Sequence, residues 1–230
     1  MKVNTDGVLL GAAVTLSDGD RNVLDVGTGT GTIALMLAQR YSASVHSLPC
    51  ITGIDIDGPS AAEAMLNFSA SRWSSSLTAR HCPMRDYFPP ERLDLIVSNP
   101  PFFDDSLLPP LERRSMARHT VGPALSFAAL VDYAREQLTP GGRLAVILPS
   151  DQETRSIRYA VSCGLYPFHI LRVRSTPRKA VARVVMEFSP EPCDSVREEL
   201  LTIQDPASYP QNRNGYTPEY MDLTGDFYLK

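Results

Sequence analysis

A glycine-rich loop between two runs of different pattern constrains the fold of this chain most strongly. Residues 21–26 form a short β-rich run, residues 27–31 carry glycine at every second position, and residues 32–40 show the apolar spacing of a helix. This order predicts a strand, a loop and a helix, in which the glycines let a ligand approach the backbone near the N–H groups of the helix start. Position 32 is threonine, so the dinucleotide fingerprint G-x-G-x-x-G is incomplete and a pyrophosphate ligand is disfavoured. The alternative is that the loop is only a tight turn.

Strand and helix patterns alternate along the rest of the chain. Further strands are predicted at residues 51–56, 93–97 and 143–148, helices at residues 60–71 and 126–137, and a closing antiparallel pair of strands at residues 166–173 and 182–188. The alternation predicts an α/β fold, Rossmann-like and doubly wound, with a mostly parallel seven-stranded sheet and helices on both faces. Such sheets bind ligands at the carboxyl ends of their strands. We expect a single domain over residues 1–230, on which residues 205–230 pack as an extension.

Composition excludes several classes of protein. The 230 residues are 43% hydrophobic and 21% charged, which is typical of a globular chain and not of a disordered or coiled-coil one. No apolar run approaches the ~18 to 20 residues of a membrane-spanning helix, and the start does not resemble a secretory signal, so we expect a cytoplasmic protein. The four cysteines form no C-x-x-C pair, which argues against a metal site. Because the net charge is −4, a nucleic-acid partner would need a local basic patch.

Two acidic residues, Asp55 and Asp86, point to a nucleoside site. Asp55 stands at a predicted strand tip about two dozen residues after the last glycine of the loop, where its carboxylate could accept both ribose hydroxyls of an adenosine. Asp86 could accept from an adenine amino group, with Tyr87 or Phe88 flanking the ring. The alternatives are that Asp55 or Asp57 caps the next helix and that Asp86 is a solvated loop acid.

The segment S-N-P-P-F, directly after the predicted strand at residues 93–97, is the most specific element of the sequence. Its two consecutive prolines exclude helix, stiffen the backbone and remove two donors, which leaves the local carbonyls as outward acceptors. The side-chain oxygen of Asn99 and the carbonyl of Pro100 could accept both hydrogens of a planar amino group, which would aim the nitrogen lone pair at an electrophile. Phe102 would stack on the base that carries the amine. The alternative is a structural turn.

Taken in order, the glycine loop, the two acids and the N-P-P-F segment resemble the class I S-adenosylmethionine-dependent methyltransferases that act on exocyclic or amide nitrogens. Three further stretches, at residues 2–11, 118–120 and 226–230, are similar to the bacterial tRNA adenine-N6-methyltransferases that modify the adenine beside the anticodon of a valine tRNA. This resemblance spans nearly the whole chain. It implies S-adenosyl-L-methionine as the cofactor and tRNA as the partner.

The resemblance also implies that the opening T-D-G segment lies over the cofactor, which adds Thr5 and Asp6 to the site. The chain departs from the family at Asn4, where glycine is usual, and at Phe102, where tyrosine is usual and the ring is kept without its hydroxyl. Members of that family usually begin with another stretch ahead of the T-D-G segment.

The predicted site residues fall into three groups. The catalytic residues are Asn99, Pro100, Pro101 and Phe102. The cofactor contacts are Thr5, Asp6, Asp25, Gly27, Thr28, Gly29, Gly31, Thr32, Asp55, Ile56, Asp86 and Tyr87. The RNA contacts, which form a local basic patch, are Arg172, Arg174, Arg178, Lys179 and Arg183.

Other interpretations stay open at this point. The basic patch could be a solvated face, Arg113, Arg114 and Arg118 are a second candidate for phosphate contacts, and His119 is not needed as a base. Because N-P-P followed by an aromatic residue is shared with other N-methyltransferases, the substrate could be a protein glutamine amide or a guanine or DNA base amine. A catalytically silent module that binds cofactor or RNA is the alternative from another class. A monomer is the default expectation.

Overall fold

The computed structural model describes residues 5–44, 48–101, 125–209 and 213–227, and within these ranges eight strands form one sheet. The strands are β1 (Asn22–Val26), β2 (Cys50–Asp55), β3 (Leu77–His81), β4 (Leu93–Ser98), β5 (Leu138–Pro149), β6 (Tyr166–Arg174), β7 (Arg183–Ser189) and β8 (Arg197–Thr202). Their order across the sheet is β3-β2-β1-β4-β5-β7-β6-β8. The first five strands pair in parallel, β7 is antiparallel to both β5 and β6, and β8 is parallel to β6.

Six α-helices of the described residues connect or cover these strands. They are α1 (Thr5–Ala13), α2 (Thr32–Ser44), α3 (Gly58–Ala70), α4 (Phe127–Gln137), α5 (Glu153–Ser162) and α6 (Pro218–Thr224). Side-chain caps fix several helix starts, as at α4, where the Ser126 hydroxyl accepts a hydrogen bond from the backbone N–H of Ala129 at 3.2 Å.

The core lies on both faces of the sheet because neighbouring residues of each strand point to opposite sides. In β4, Leu95 and Val97 pack into the cluster that includes side chains from α1, α2, α3 and α6, whereas Ile96 packs into the cluster that includes α4 and α5. The strand order reverses between β1 and β4, the place where a doubly wound sheet opens a crevice at the carboxyl ends of its strands.

The predicted fold class is confirmed, and the predicted number of strands was wrong. The closing antiparallel pair is present as β6 and β7, but the sheet has eight strands and not seven. The additional edge strand, β8, reads R-E-E-L-L-T, and most of its side chains are exposed or half-buried. Charged residues are common on edge strands because they discourage pairing with other chains, so their pattern is not the alternation that identifies a strand.

The last described residues pack back on the domain. The Thr217 N–H donates to the carbonyl of Ile203 at 3.0 Å, and its hydroxyl donates to the carbonyl of Thr202 at 2.5 Å. Tyr220 in α6 belongs to the main core. The expectation of a single domain with a packed extension stays a prediction.

A buried ionic cluster links the start of the chain to β6, β7 and β8. The Glu187 carboxylate is fully buried, accepts the backbone N–H of Thr15 at 3.0 and 3.1 Å, and lies 2.7 Å from Nδ1 of His169. Nε2 of the same histidine lies 2.9 Å from Glu199. These two carboxylates, Glu187 first, raise the pKa of His169.

Among the described helices, none combines the length and the apolar character that crossing a bilayer requires. Nor do the described ranges bring three or more histidine, cysteine or carboxylate side chains together in a way that would hold a metal ion.

Candidate functional site

Three neighbouring strands end at one edge of the sheet and bring the predicted site residues there. Strand β1 ends at Val26, β2 at Asp55 and β4 at Ser98. The buried Ser98 hydroxyl donates to the carbonyl of Val26 at 2.8 Å, which joins the end of β4 to the residue just before the glycine loop. Asn99 therefore begins its segment beside that loop. Ser98 was not among the predicted site residues, although it stands next to the diproline segment.

The glycine loop takes a backbone conformation that only glycine adopts readily. Gly27, Gly29 and Gly31 have φ angles of 72°, 56° and 82°, in the left-handed region. The N–H groups of Gly27 and Thr28 donate to the carbonyl of Ile54 at 2.9 and 3.0 Å. These bonds hold the loop against the end of β2.

Helix α3 supports the loop from behind. The Asn67 side chain donates to the carbonyl of Thr30 at 2.9 Å. A Cβ at Gly31 would lie 2.3 Å from Cε1 of Phe68, a ring that is fully buried. The third glycine is therefore required both by its φ angle and by the close approach of this ring.

Asp25 is an acid buried beneath the glycine loop. Its Oδ2 accepts from the Thr28 hydroxyl at 2.7 Å and from the N–H of Ala34 at 3.3 Å. Its Oδ1 makes no hydrogen bond with the described residues. Burial, and secondarily the charge of Asp55, raises the pKa of Asp25 to about 7. The loop thus lies over an acceptor atom that has capacity to bond a donor.

The two aspartates at the carboxyl end of β2 have different roles. The Asp55 carboxylate accepts the N–H of Gly29 at 2.8 Å and the N–H of Asp57 at 2.9 Å. Asp57 caps α3, because its Oδ2 accepts the N–H of Ser60 at 2.9 Å, and hydrogen bonds from Ser60 lower the pKa of Asp57. The capping alternative therefore applies to Asp57, while Asp55 lies against the glycine loop. Between them, Ile56 leaves 57% of its surface exposed.

The segment that carries Asp86 begins close to the same strand end, since the N–H of Cys82 donates to the carbonyl of Asp55 at 2.9 Å. Asp86 is exposed at the end of a short 3₁₀ helix. The ring of Tyr87 lies in the core, and Phe88 is 76% exposed. Of the two rings expected beside an adenine, Phe88 is the exposed one, and the cofactor contact of Tyr87 stays a prediction.

The diproline segment continues from β4 at the same edge. Asn99 is half-buried, Pro100 is buried and Pro101 is exposed. Phe102 lies outside the described residues, as do Arg113, Arg114, Arg118 and His119.

The first residues of α1 lie near this edge through one ion pair. Asp6 accepts from Nε of Arg183 at 2.9 Å, and Arg183 is the first residue of β7. Thr5, which precedes Asp6, is exposed. A predicted cofactor contact and a predicted RNA contact are thus partners of each other.

The residues of the predicted basic patch differ in their surroundings: some contact neighbouring side chains and others are exposed. Arg172 contacts Glu153 at 2.5 Å and Glu198 at 2.7 Å, and these carboxylates, Glu153 first, raise its pKa. Nε of Arg174 donates to the Thr202 hydroxyl at 2.8 Å. The last two members, Arg178 and Lys179, are exposed in the connection from β6 to β7. This connection leaves β6 at its carboxyl end, on the same edge as the glycine loop.

Comparison with known proteins identifies the class and then the family. A protein described as a predicted O-methyltransferase from Agrobacterium tumefaciens has a TM-score of 0.69 to this chain at 15% identity, over 97% of both chains. A TehB-like SAM-dependent methyltransferase from Corynebacterium glutamicum has a TM-score of 0.52 at 15% identity, over 82% of this chain and 89% of its own. The fold is therefore that of S-adenosylmethionine-dependent methyltransferases.

Sequence relatives identify the family within this class of methyltransferases. The family model described as "Methyltransferase small domain" matches residues 8–162. A tRNA1(Val) (adenine(37)-N6)-methyltransferase of Flavobacterium johnsoniae is 38% identical over 100% of this chain and 93% of its own length. One of Bacteroides fragilis is 40% identical over 100% and 92%. The chain belongs to the methyltransferase small domain family and to the family of the tRNA1(Val) (adenine(37)-N6)-methyltransferases, which confirms the resemblance stated from the sequence.

Proposed function

We propose that this protein transfers a methyl group from S-adenosyl-L-methionine to the N6 amino group of an adenine in tRNA, the adenine next to the anticodon of a valine tRNA. One observation carries the proposal: the bond from Ser98 to Val26 sets Asn99 beside the glycine loop, so an amine and a methyl donor would meet there. The names of relatives that align with the whole chain support adenine and tRNA as the substrate.

The residues around the glycine loop fit S-adenosyl-L-methionine. Each oxygen of Asp55 accepts one backbone bond and keeps a lone pair for a ribose hydroxyl. The exposed side chain of Ile56 offers apolar surface to a base, and Oδ1 of Asp25 has no hydrogen-bond partner among the described residues. When bound, the cofactor supplies an electrophilic methyl group on its sulfonium. The same proposal keeps Thr5, Asp6, Gly27, Thr28, Gly29, Gly31, Thr32, Asp86 and Tyr87 as cofactor contacts.

Asn99 and the prolines that follow it prepare the amine. The side-chain oxygen of Asn99 and the carbonyl of Pro100 accept the two N–H hydrogens and hold the nitrogen lone pair out of conjugation with the ring. Because Pro100 is buried and its φ angle is fixed, these acceptors do not need to reorganise during the reaction. Phe102 stacks on the adenine. The contribution of the protein is alignment and proximity, since the donor is intrinsically reactive.

RNA contacts come from the exposed end of the basic patch. Arg178 and Lys179 lie on the edge of the sheet that carries the glycine loop, and their cations can meet phosphates. Arg172 attracts RNA phosphates less strongly, because two glutamates already neutralise its charge. A base of an anticodon loop is already partly unstacked, so moving it into the site costs less than flipping a base out of a duplex. We place this activity in the cytoplasm and take the protein to act as a monomer.

The test is to measure where a labelled methyl group goes. The protein is incubated with cofactor labelled at the methyl group and, separately, with a valine tRNA transcript, a protein extract and duplex DNA. We expect label in the tRNA, recovered as N6-methyladenosine, and none in a control transcript with guanine in place of the adenine beside the anticodon. Label confined to protein would favour a glutamine amide substrate, and label confined to DNA would favour a DNA base. Cofactor binding without transfer to any of them would favour a silent module.

A further inference from the structure

Helix α1 is attached to strand β7 at both of its ends. At its start, Asp6 accepts from Nε of Arg183 at 2.9 Å. Just after its end, Thr15 donates its N–H and its hydroxyl to Glu187, the hydroxyl at 2.9 Å. The two anchoring residues, Arg183 and Glu187, are on one strand, and the residues they hold lie in the first turn of α1 and just after its end.

The spacing of the two anchors matches the lengths of the two elements. From Arg183 to Glu187 a strand advances four residues, or about 13 Å. From Asp6 to the end of α1 at Ala13 the helix advances seven residues, or about 11 Å, and two further residues lead to Thr15. Strand and helix therefore run side by side, and neither attachment can shift along β7 without loss of the other.

The two anchors lie at different distances from the site edge. Arg183 pairs across the sheet with Pro149, the last residue of β5, because β7 is antiparallel and starts where β5 ends. Glu187 pairs with Ala145, farther from that edge. The Arg183 anchor thus fixes the part of α1 that carries Thr5 and Asp6, and the Glu187 anchor fixes the opposite part.

We propose that Arg183 is a positioning residue for the cofactor, which holds Asp6 and the start of α1 over the cofactor site, and is not an RNA contact. This proposal rests on the proposed function and changes the role expected for Arg183. The Arg183 side chain is 35% exposed and the Asp6 side chain is 18% exposed, so the pair is only partly screened by solvent. An arginine whose charge a carboxylate already neutralises releases few counterions when a phosphate approaches.

The experiment measures cofactor affinity and tRNA affinity separately. For R183Q we expect S-adenosyl-L-methionine to bind about three- to tenfold more weakly by calorimetry, the effect of losing a partly exposed ion pair. The dependence of tRNA affinity on salt should keep the wild-type slope. R183K keeps the charge and should restore most of the cofactor affinity. In a D6N background, R183Q should have little further effect on cofactor affinity, because the pair is already broken.

Two matched controls separate positioning from stability and from RNA binding. T15V weakens the other anchor, so it should lower the melting temperature and leave cofactor affinity unchanged. R178Q removes an exposed cation and should lower the slope of log affinity for tRNA against log salt by about 0.7 to 0.9, with cofactor affinity unchanged.

The opposite pattern would overturn the proposal. R183Q would then bind cofactor like the wild type, or lose tRNA affinity together with salt slope as R178Q does. An equal loss of cofactor affinity in T15V would also overturn it, because that result would reduce the role of Arg183 to stability. Calorimetry with cofactor alone needs no tRNA, so a protein that proves not to methylate tRNA would refute the proposed function and leave this test intact.

Discussion

The substitution Gly31→Ala tests whether the glycine loop is held by the ring behind it. Gly31 has a φ angle of 82°, and a methyl group there would lie 2.3 Å from Cε1 and 2.8 Å from Cζ of Phe68. The ring is fully buried in the core and cannot swing into solvent. Either the loop or the ring must therefore move.

The cost has two parts. An alanine in the left-handed region costs about 1 to 2 kcal/mol. Forcing a methyl group into a packed core costs about 1 to 3 kcal/mol more. We therefore expect Gly31→Ala to lower the free energy of unfolding by about 2 to 5 kcal/mol.

Gly27→Ala is the matched control for this prediction. Its φ angle is 72°, but its methyl group would meet only Cδ2 of Leu125, at an ordinary 3.4 Å. Both variants share the backbone cost and the reduced entropy of the unfolded chain, so their difference isolates the clash with Phe68. Urea unfolding followed by circular dichroism gives both values. A difference near zero would refute the reasoning, as would a Phe68→Leu substitution that destabilises the Gly31→Ala variant as much as it destabilises the wild type.

Three further predictions concern single polar groups. Asp57→Ala should lower the melting temperature, because α3 loses its cap, but calorimetry should show unchanged cofactor affinity; weaker binding would mean that Asp57 contacts the cofactor. Burial raises the pKa of Asp25 to about 7, so its ionisation opposes folding: stability should fall as pH rises from about 4 to 7, and Asp25→Asn should flatten this slope in denaturation curves. The pKa of His169 is also raised, chiefly by Glu187. The stability that the positive charge of His169 contributes is therefore fully present below about pH 6.5 and is lost as pH rises further. If His169→Gln kept the wild-type slope of stability against pH above about 6.5, that result would contradict this prediction.

Local patterns were sufficient to predict the central strands and the chemistry at their ends. Strands β1 and β4 are buried runs followed by glycine and asparagine, β2 ends in aspartate, and in a parallel sheet their carboxyl ends meet at one edge. The candidate ligand side chains could be placed together without knowing any contact between them. The short strand β3 and the edge strand β8 carry alternating or charged side chains with little burial, so neither strand was predicted.

Partners far apart in the sequence could not be predicted. The charge of Arg172 looked available for RNA because its glutamates come 19 residues before and 26 residues after it. Helix α1 carries apolar side chains on nearly every side and two glycines, so it lacks the one-sided pattern that identifies a surface helix. Its ion pair with Arg183 spans 177 positions. Contacts of this kind depend on how the sheet closes, which no local window contains.

The measurement that bears most directly on the central claim is a comparison of Asn99→Ala with the wild type in two assays on the same preparation. Calorimetry should show cofactor affinity within about tenfold of the wild type, and single-turnover methylation of the valine tRNA transcript should be lost. That outcome would assign Asn99 to the amine and not to the cofactor. Methyl transfer at the wild-type rate would contradict the account, because the amine would then be activated without the acceptor that this residue provides.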